Sequence, residues 1–524
     1  MSAPQTLHTP QEAARWLRTR VTGGLTTDSR KVRAGDGFIA WPGAATDGRL
    51  HVNAAFSQGA SACLVAAEGV EAFAFRNEAV ATYAKLKSAT GPIAAAYFDE
   101  PSKLLNVIAI TGTNGKTSTA WWLAHALSNL SRPNEFLCGL VGTLGIAVPE
   151  KGQAGAQRAD EYSFEVQTNS LTTPDPVLLQ QNLRRFVARG LMACALEASS
   201  IGIVENRLDA TQIRVAVFTN FSQDHLDYHG TMSAYWQAKA SLFDWPGLQA
   251  AVVNIDDEKG AELVASLTSG GRSAALDLWT TSCKLPARLR ATDIFHSANG
   301  MRFTVIEAGA SHDLATHLIG HYNVHNLLGV IGAMRTLGVP LRACVEACTS
   351  LQPVPGRLQC FGEPGEPLVA VDYAHTPDAL AKTLEVLRPL AQARGGKLWC
   401  VFGCGGRRDA SKRPLMGAIA VRHADYIVIT SDNPRDESQH SIISQIMLGT
   451  TGHNGIEVQT DRALAISDAV LRADSVDVIL VAGKGHEDYQ EINGRKMPFA
   501  DQRHVSLALQ RRKDGAANGK GAAS

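Results

Sequence analysis

The stretch Asn106-Val-Ile-Ala-Ile-Thr-Gly-Thr-Asn-Gly-Lys-Thr-Ser-Thr-Ala-Trp-Trp-Leu-Ala-His-Ala-Leu127 decides the fold. An apolar run at residues 107–110 predicts a buried strand, and a glycine-rich loop and a helix follow it. In such a unit, backbone N–H groups and the helix N-terminus face bound phosphate, while the lysine adds a positive charge and the Thr117 hydroxyl can ligate Mg²⁺. The predicted phosphate-binding loop comprises Gly112, Thr113, Asn114, Gly115, Lys116, Thr117 and Ser118.

This loop is shorter than the full Walker pattern. That pattern has a glycine five positions before Gly115, where this chain has Ile110. The alternative is a chance Gly-Lys-Thr in a surface turn. The order of strand, loop and helix favours the phosphate-binding loop.

Composition excludes several classes of protein. A chain of 524 residues predicts two to four domains, and its 45% hydrophobic content is that of a globular protein. Lys+Arg and Asp+Glu both number 50, so neither nucleic acid nor an anionic membrane is expected as a partner. The nine cysteines have no metal-type spacing, which favours a reducing compartment. We therefore expect a cytoplasmic protein without a membrane span, and a monomer.

Strand and helix signals alternate along the chain and predict an α/β fold with parallel-rich sheets in three domains. The predicted domains are residues 1–102, 103–352 and 353–510. The small and charged residues of 511–524 predict a disordered tail. The polar, small-residue stretch at 150–162 predicts a loop, to which we assign no role.

Polar residues follow two predicted strands of the central domain. Glu197 comes after an apolar run at residues 191–196, and His225 comes soon after another at residues 215–219. Ligands of parallel sheets lie at the carboxyl ends of the strands, where the phosphate-binding loop also lies. Glu197 and His225 are therefore expected near bound phosphate.

The third domain repeats this arrangement. Apolar runs at residues 368–371, 398–402, 426–430 and 478–482 each precede a polar loop with glycine or proline, which predicts a second open sheet with its own binding edge. From the pattern alone, Arg435 is equally a surface residue after a proline turn or a reader of a carboxylate. Ser29 is either a ligand contact or part of a turn with satisfied side chains, and the pattern alone favours the turn.

Six segments, taken in this order, resemble the muramyl ligases, the ATP-dependent amide-forming enzymes of peptidoglycan precursor synthesis. They are Thr111-Gly-Thr-Asn-Gly-Lys-Thr117, Glu197-Ala-Ser-Ser200, Thr219-Asn-Phe-Ser-Gln-Asp-His-Leu-Asp-Tyr-His-Gly230, Gly320-His-Tyr-Asn-Val-His-Asn326, Pro355-Gly-Arg357 and Val371-Asp-Tyr-Ala-His-Thr-Pro-Asp378. Within the family, Asp432-Asn-Pro-Arg435 and Gly483-Lys-Gly-His-Glu487 resemble the members that add meso-diaminopimelate to UDP-N-acetylmuramoyl-L-Ala-D-Glu.

The resemblance implies a three-domain fold: a UDP-binding domain, a central ATPase domain and a Rossmann-like domain that binds the amino acid. It also implies a reaction. ATP converts the γ-carboxylate of D-Glu to an acyl phosphate, and the amine of diaminopimelate displaces phosphate from it.

By the same resemblance, Lys116 and the loop amides hold the ATP phosphates. The implied Mg²⁺ ligands are Thr117, Glu197, His225 and Lys239, the last as a carbamate formed with CO₂. From the pattern alone, Lys239 is a solvated helix lysine. The residues implied to hold the base and ribose are Asn323, Arg357 and Asp372.

The resemblance also assigns the other two substrates. The UDP-sugar contacts implied are Ser29, Ala44, Ala45 and Thr46, and those for the muramoyl-dipeptide are Thr172, Thr173, Ser199, Glu205 and Arg207. The contacts implied for diaminopimelate are Arg408, Asp432, Asn433, Pro434, Arg435, Gly483 and Glu487, because a guanidinium reads a carboxylate with two hydrogen bonds. The chain departs from the family pattern at Ile201, usually histidine, and at Glu205, often glutamine.

Three alternatives stay open at this point. A lysine-adding ligase is disfavoured by the 432–435 motif, and a folylpolyglutamate synthetase is disfavoured by the first domain. A non-catalytic nucleotide switch would not need Lys239, His225 or a second substrate site.

Overall fold

The computed structural model describes residues 4–43, 46–130, 136–151, 162–168, 171–269, 276–297, 300–452 and 455–521. Three main sheets divide the chain into three α/β domains, as the sequence predicts. The boundaries at residues 102 and 352 stay predictions. No helix in these ranges has the length and apolar composition of a membrane span.

The first domain is a five-stranded parallel sheet in the order β1-β5-β4-β3-β2. Its strands are β1 (Gln5–Leu7), β2 (Leu25–Thr26), β3 (Gly37–Ala40), β4 (Ala62–Ala66) and β5 (Val80–Tyr83). Its helices are α1 (Pro10–Arg18), α2 (Val52–Ser57) and α3 (Leu86–Tyr97). The Thr9 hydroxyl accepts a hydrogen bond from the Glu12 N–H, and Pro10 opens α1, so this helix begins where the sequence predicts.

The central domain contains an eleven-stranded sheet in the order β16-β15-β14-β13-β12-β11-β6-β10-β7-β8-β9. Its strands are β6 (Asn106–Thr111), β7 (Cys138–Gly142), β8 (Gly145–Lys151), β9 (Tyr162–Gln167), β10 (Ala193–Glu197), β11 (Val215–Phe218), β12 (Ala250–Asn254), β13 (Asp277–Ser282), β14 (Leu289–Ser297), β15 (Gly300–Glu307) and β16 (Ala310–Thr316). Its helices are α4 (Lys116–Ser128), α5 (Pro176–Ala188), α6 (Ser200–Val204), α7 (Leu226–His229), α8 (Met232–Ala240), α9 (Glu258–Ser269), α10 (His321–Thr336) and α11 (Leu341–Thr349).

Strand β6 lies in the middle of this sheet, between β10 and β11. Ile108 and Ile110 pack in the core that contains α4 and α10, whereas Val107 and Ala109 pack in the core that contains α5. The strand is therefore buried on both faces, which explains its continuous apolar sequence.

The C-terminal domain has a six-stranded sheet in the order β17-β18-β22-β19-β20-β21, parallel except at β17. Its strands are β17 (Gln359–Phe361), β18 (Leu368–Asp372), β19 (Leu398–Phe402), β20 (Tyr426–Ile429), β21 (Ile456–Val458) and β22 (Val478–Ala482), and a separate hairpin contains β23 (Tyr489–Ile492) and β24 (Arg495–Pro498). Its helices are α12 (Pro377–Arg394), α13 (Lys412–His423), α14 (Gln439–Met447), α15 (Arg462–Arg472) and α16 (Asp501–Gly521).

The antiparallel strands at both edges of the central sheet were not expected. Strands β8 and β9 extend one edge, and β15 and β16 extend the other. The loop predicted at residues 150–162 largely coincides with 152–161, which lie outside the described residues. Edge strands carry a weaker apolar signal than central ones, because one of their faces is not covered.

The prediction of disorder from residue 511 is wrong for residues 511–521, which continue α16. The Arg512 guanidinium donates hydrogen bonds to the carbonyl groups of Val470 and Ala473, at the end of α15. Lys513 pairs with Glu363 at 3.0 Å. These tertiary contacts stabilise a helix whose composition alone does not predict one. Residues 522–524 lie outside the described residues.

A buried ion pair anchors the start of α16. Arg462 and Asp501 are both 0% exposed, and two hydrogen bonds of 2.8 Å join them. The same guanidinium donates to the carbonyl groups of Ser431, in the polar loop after β20, and of Ala482, the last residue of β22. This pair therefore fixes the ends of the two strands that carry the predicted amino-acid contacts.

We expect Asp501→Asn to lower the free energy of unfolding of the C-terminal domain by about 3–5 kcal/mol, because it leaves the buried Arg462 charge without a partner. The matched control is Glu457→Gln, which removes the half-exposed pair with Arg472 and should cost less than about 1 kcal/mol. Urea-induced unfolding measures both values. Equal effects of the two substitutions would contradict this role of Arg462–Asp501.

Candidate active site

The predicted phosphate-binding loop lies between β6 and α4 and packs closely against its neighbours. Gly112 has φ +142°, and a Cβ atom there would lie 1.9 Å from Thr219 Oγ1. A Cβ atom at Gly115, with φ +85°, would lie 2.4 Å from Asn326 Oδ1 in α10. Ile110, which replaces the Walker glycine, is a fully buried residue of β6. The loop is short because the strand continues through this position.

Two lysines approach the carbonyl groups of this loop. Lys116 Nζ donates to the carbonyl oxygens of Gly112 and Thr113 at 2.9 and 2.8 Å, and Lys239 Nζ donates to that of Gly112 at 2.7 Å. Burial lowers the pKa of both lysines, and the charge of Lys116 lowers that of Lys239 further. Lys239 is 1% exposed, so the interpretation as a solvated helix lysine is wrong.

Glu197 ends β10 as a carboxylate that is only 1% exposed. Its Oε2 accepts hydrogen bonds from the hydroxyls of Thr117 and Thr143 at 2.9 and 3.0 Å, and its Oε1 accepts one from the Thr143 N–H at 2.8 Å. Among the described residues, no Lys, Arg or His forms an ion pair with it. A buried carboxylate beside a hydroxyl is an oxygen donor set of the kind that Mg²⁺ prefers, so these residues fit the implied ion.

His225 lies beside two further polar residues that the sequence interpretation missed, Asp224 and His375. The Nε2 atom of His225 lies 3.4 Å from Asp224 Oδ2, and His375 Nε2 lies 3.8 Å from the same oxygen. Burial lowers the pKa of His225 to about 4, so its imidazole is neutral at pH 7 and has a lone pair available for a metal. The motifs at 219–230 and 371–378 contained both missed residues.

Asn323, Arg357 and Asp372 line one cavity of about 200 Å³ together with the phosphate-binding loop. Arg357 Nη2 lies 3.3 Å from Thr117 Oγ1, and its guanidinium stacks 4.2 Å from the centre of the Tyr373 ring. Its Nη1 is buried without a hydrogen-bond partner in the described part of the chain, which fits a donor for an acceptor-rich ligand. Residues of the second and third domains therefore line one cavity, and the bridging of the two domains by ATP stays a prediction.

The same side chains also have internal contacts. The Asp372 carboxylate accepts hydrogen bonds from the N–H groups of Leu358 and Ala374 at 2.7 and 2.8 Å. Asn323 Oδ1 accepts one from Asn326 Nδ2 at 2.9 Å. These bonds orient the cavity wall without any ligand.

The residues predicted to contact the muramoyl-dipeptide fall into two groups. Thr172, Thr173, Ser199 and Arg207 lie together: Thr173 Oγ1 is 3.0 Å from Ser199 Oγ, and Arg207 donates to the Thr173 carbonyl at 3.0 Å. Glu205 instead pairs with Lys87 at 2.7 Å and accepts a hydrogen bond from Tyr228. Glu205 therefore contacts Lys87 of the first domain.

Asp432, Asn433 and Glu487 meet at the carboxyl ends of β20 and β22 around a lysine that the sequence interpretation missed. Lys484 is fully buried, and its ammonium donates to Glu487 Oε2 at 2.9 Å and Asn433 Oδ1 at 3.1 Å. Asp432 Oδ1 is buried without a hydrogen-bond partner among the described residues and lies 3.8 Å from Lys484 Nζ. This acceptor fits an ammonium group of a ligand. The Gly483–Glu487 motif was the available signal for Lys484.

Arg435 lies beside this cluster. Its Nη1 donates to the Gly406 carbonyl at 2.7 Å, and its Nε lies 3.4 Å from Glu491 Oε2. Arg408 is half exposed and lies 3.8 Å from Asp227 of the central domain. Pro434 accepts a hydrogen bond from the Glu437 N–H and shapes this turn. The Gly483 N–H donates to the Asp372 carbonyl at 3.1 Å.

Among the described residues of the first domain, those predicted to contact the UDP-sugar do not line the cleft. Ser29 opens a short 3₁₀ turn whose preceding Asp28 pairs with Arg30, so it lies in the satisfied turn that the pattern favours. Thr46 accepts a hydrogen bond from the Gly43 N–H. Ala44 and Ala45 lie outside the described residues. Lys31 and Arg33, rather than Ser29 or Thr46, line the cleft described next.

One cleft of about 1450 Å³ joins all three domains. Its lining includes residues of the first domain, of the dipeptide group, of the metal group and of the C-terminal cluster, namely Lys31, Arg33, Thr143, Thr172, Ser199, Arg207, His225, Arg408, Asp432, Asn433, Arg435, Gly483 and Glu487. The carboxyl ends of the central and C-terminal sheets therefore face a common space, although the two groups are far apart in sequence.

Comparisons with known proteins agree with this architecture. Three family models match in order: Mur ligase family, catalytic domain, at residues 22–95; Mur ligase middle domain at 110–334; and Mur ligase, glutamate ligase domain, at 356–485.

Similar proteins cover nearly the whole chain. The UDP-N-acetylmuramoyl-L-alanyl-D-glutamate--2,6-diaminopimelate ligase of Acidovorax sp. (strain JS42) is 56% identical over 98% of this chain and 99% of that protein. The ligase of the same name from Janthinobacterium sp. (strain Marseille) is 47% identical over 93% of this chain and 94% of that protein. A solved structure of a ligase of this name is 33% identical, has a TM-score of 0.60 and covers 94% of this chain and 95% of that one. The chain belongs to the Mur ligase family.

Proposed function

We propose that this protein is an ATP-dependent, ADP-forming ligase that joins meso-2,6-diaminopimelate to the γ-carboxylate of D-Glu in UDP-N-acetylmuramoyl-L-Ala-D-Glu. It acts in the cytoplasm as a monomer and supplies peptidoglycan precursor. The observation that carries this proposal is the cleft in which Thr143 and His225 of the central domain face Asp432 and Arg435 of the C-terminal domain. The names of the relatives that cover nearly the whole chain support it.

Amide formation from a carboxylate requires an activated acyl group. In this proposal, a γ-carboxylate oxygen of D-Glu attacks the γ-phosphorus of ATP, the bond to the bridging oxygen breaks, and ADP leaves. The amine of diaminopimelate then attacks the acyl phosphate carbon, loses a proton and displaces inorganic phosphate. Such phosphoryl transfer depends on positioning and charge neutralisation. Lys116 and the N–H groups of the loop supply both at the β- and γ-phosphates.

Thr117, Glu197 and His225 would hold Mg²⁺, which neutralises phosphate charge when bound. The buried Glu197 carboxylate and the neutral His225 imidazole support this set. Lys239 would join it as a carbamate. Its lowered pKa supports this, because the uncharged amine is the form that reacts with CO₂.

The nucleotide, the dipeptide and the UDP-sugar contact separate groups of residues. Asn323, Arg357 and Asp372 hold the base and ribose of ATP. Thr172, Thr173, Ser199 and Arg207 hold the dipeptide, with Glu205 at its margin, and the first domain holds the UDP-sugar through Ser29 and the Ala44–Thr46 loop. Lys31 and Arg33 add positive charge on the first-domain side of the cleft, where the UDP-sugar extends.

Specificity for the amine depends on the second amino-acid head of diaminopimelate, which lysine lacks. Arg435 and Arg408 read its carboxylate, and Asp432 and Glu487 accept from its ammonium group. The buried Asp432 Oδ1 without a hydrogen-bond partner supports this placement. Asn433, Pro434 and Gly483 fix the backbone around it.

The proposed reaction predicts phosphate release that requires ATP, Mg²⁺, UDP-N-acetylmuramoyl-L-Ala-D-Glu and meso-diaminopimelate together. L-lysine in place of diaminopimelate should give little release, because it leaves Arg435 and Asp432 without their partners. A colorimetric phosphate assay measures both. Phosphate release with lysine but not with diaminopimelate would overturn the specificity. If neither amine gives phosphate release, a nucleotide switch would be favoured.

Arg435→Ala should raise the KM for diaminopimelate about 10- to 100-fold, as expected for the loss of a charge-assisted hydrogen bond worth about 1.5–3 kcal/mol. The KM for ATP should change little, because the nucleotide cavity has a different lining. Arg407→Ala is the control, since Arg407 is exposed and pairs with Asp436. An unchanged KM for diaminopimelate in the Arg435 variant would refute its role.

Lys239→Arg should lower kcat more than about 100-fold, although it keeps the positive charge, because a guanidinium does not form a carbamate. Phosphate release measures kcat. ¹³C NMR after addition of ¹³C-bicarbonate should show a carbamate carbon in the wild-type protein and none in the variant. A variant with wild-type activity would exclude the carbamate.

A further inference from the structure

The first turns of α10 and the loop after β13 bring three metal-ligand side chains together outside the proposed active site. His321 and His325 are four residues apart and project from one face of α10. Cys283 follows β13. One ligand atom from each of the three lies within 4.8 Å of the other two, and Cys283 Sγ is 3.6 Å from His325 Nδ1.

We propose that Cys283, His321 and His325 bind a Zn²⁺ ion. In a tetrahedral site, Zn–S and Zn–N bonds of about 2.3 and 2.05 Å put sulfur and nitrogen about 3.6 Å apart. The separation between Cys283 Sγ and His325 Nδ1 has this value before any ion is placed. A thiolate and two imidazoles select Zn²⁺ over the Mg²⁺ that the active site would hold, because Mg²⁺ prefers oxygen ligands.

Asp256 contacts the cluster without being one of its three ligands. Its Oδ2 accepts a hydrogen bond from the Cys283 N–H at 2.7 Å and lies 3.7 Å from His325 Nδ1, and its Oδ1 accepts one from the Ser282 hydroxyl. Because His325 Nδ1 is the atom proposed to bind the ion, Asp256 acts through its hydrogen bond to the Cys283 backbone and through its negative charge. Lys284 and Lys382 are nearby positive charges that oppose binding of a cation, whereas Asp256 favours it.

Zn²⁺ binds cysteine as the thiolate, so Cys283 has to release its proton when the ion binds. Burial raises the pKa of this thiol to about 12, and binding of the ion therefore has to displace a firmly held proton.

Three protein ligands leave a fourth position for water or a small ligand. Residues His321 and His325 line a cavity of about 670 Å³, whose far wall includes Lys382 and Glu385 of α12. Ile319 and Tyr322 line both this cavity and the nucleotide cavity. The ion would therefore fix the start of the helix that also carries Asn323, while contacting none of the proposed catalytic residues.

Co²⁺ is the probe of choice, because tetrahedral Co²⁺ absorbs in the visible range and a bound thiolate adds a charge-transfer band in the near ultraviolet. The full-length protein is titrated with Co²⁺ in excess Mg²⁺ and ADP, which occupy the proposed active site. We expect one equivalent to bind with both absorptions, and Zn²⁺ to abolish them. Cys283→Ser should lose the charge-transfer band and weaken binding more than about 100-fold.

Two controls separate the site from other thiols and from misfolding. Cys360→Ser removes an exposed cysteine elsewhere and should keep the wild-type spectrum. His321→Ala, at an exposed position, should weaken Co²⁺ binding while keeping the wild-type melting temperature without metal. Loss of the charge-transfer band in Cys360→Ser, its retention in Cys283→Ser, or its absence from the wild-type protein would overturn the proposal, whatever the ligase assay shows.

Discussion

The buried carboxylate of Glu197 is the constraint on which the rest of the site depends. Burying a charge is unfavourable unless hydrogen bonds or a counter-charge compensate it. Hydrogen bonds from Thr117 and Thr143 supply part of this compensation and tie together the start of α4, the end of β10 and the turn after β7. The charge that these hydrogen bonds leave uncompensated is the physical reason for proposing that a cation binds at this end of the central sheet.

Polar contacts between the central and C-terminal domains accompany the packing of Ile319 and Tyr322 against the C-terminal core. Asn114 donates to Asp378 at 2.8 Å, Gln223 donates to Asp409 at 3.1 Å, and Arg357 reaches Thr117. Such an interface resembles a transient one between separate proteins, which opens and closes readily. It suits an enzyme that admits three substrates and excludes water during phosphoryl transfer.

Much of the fold was predictable because β6, β19 and β22 are buried on both faces and therefore have continuous apolar sequences. The edge strands β15 and β16 and the extension of α16 were not, since their stability comes from contacts distant in sequence. Within the site, Lys239 could be located only by resemblance, because nothing local distinguishes a buried helix lysine from a solvated one. Lys484 and His375 lay in recognised motifs, but their contacts with Asn433 and Asp224 join loops that follow different strands, so no local pattern revealed these contacts.

The Arg462–Asp501 pair has a consequence for the order in which the protein is built. The loops after β20 and β22 precede Asp501 in the chain, yet the buried Arg462 that fixes them has no counter-ion until α16 is made. Domains fold largely in the order in which the ribosome synthesises them. The pocket that distinguishes one amine from another is thus completed last, after the phosphate-binding loop of the central domain has formed, so that an interrupted chain would have the loop for the phosphates before it could select what to join.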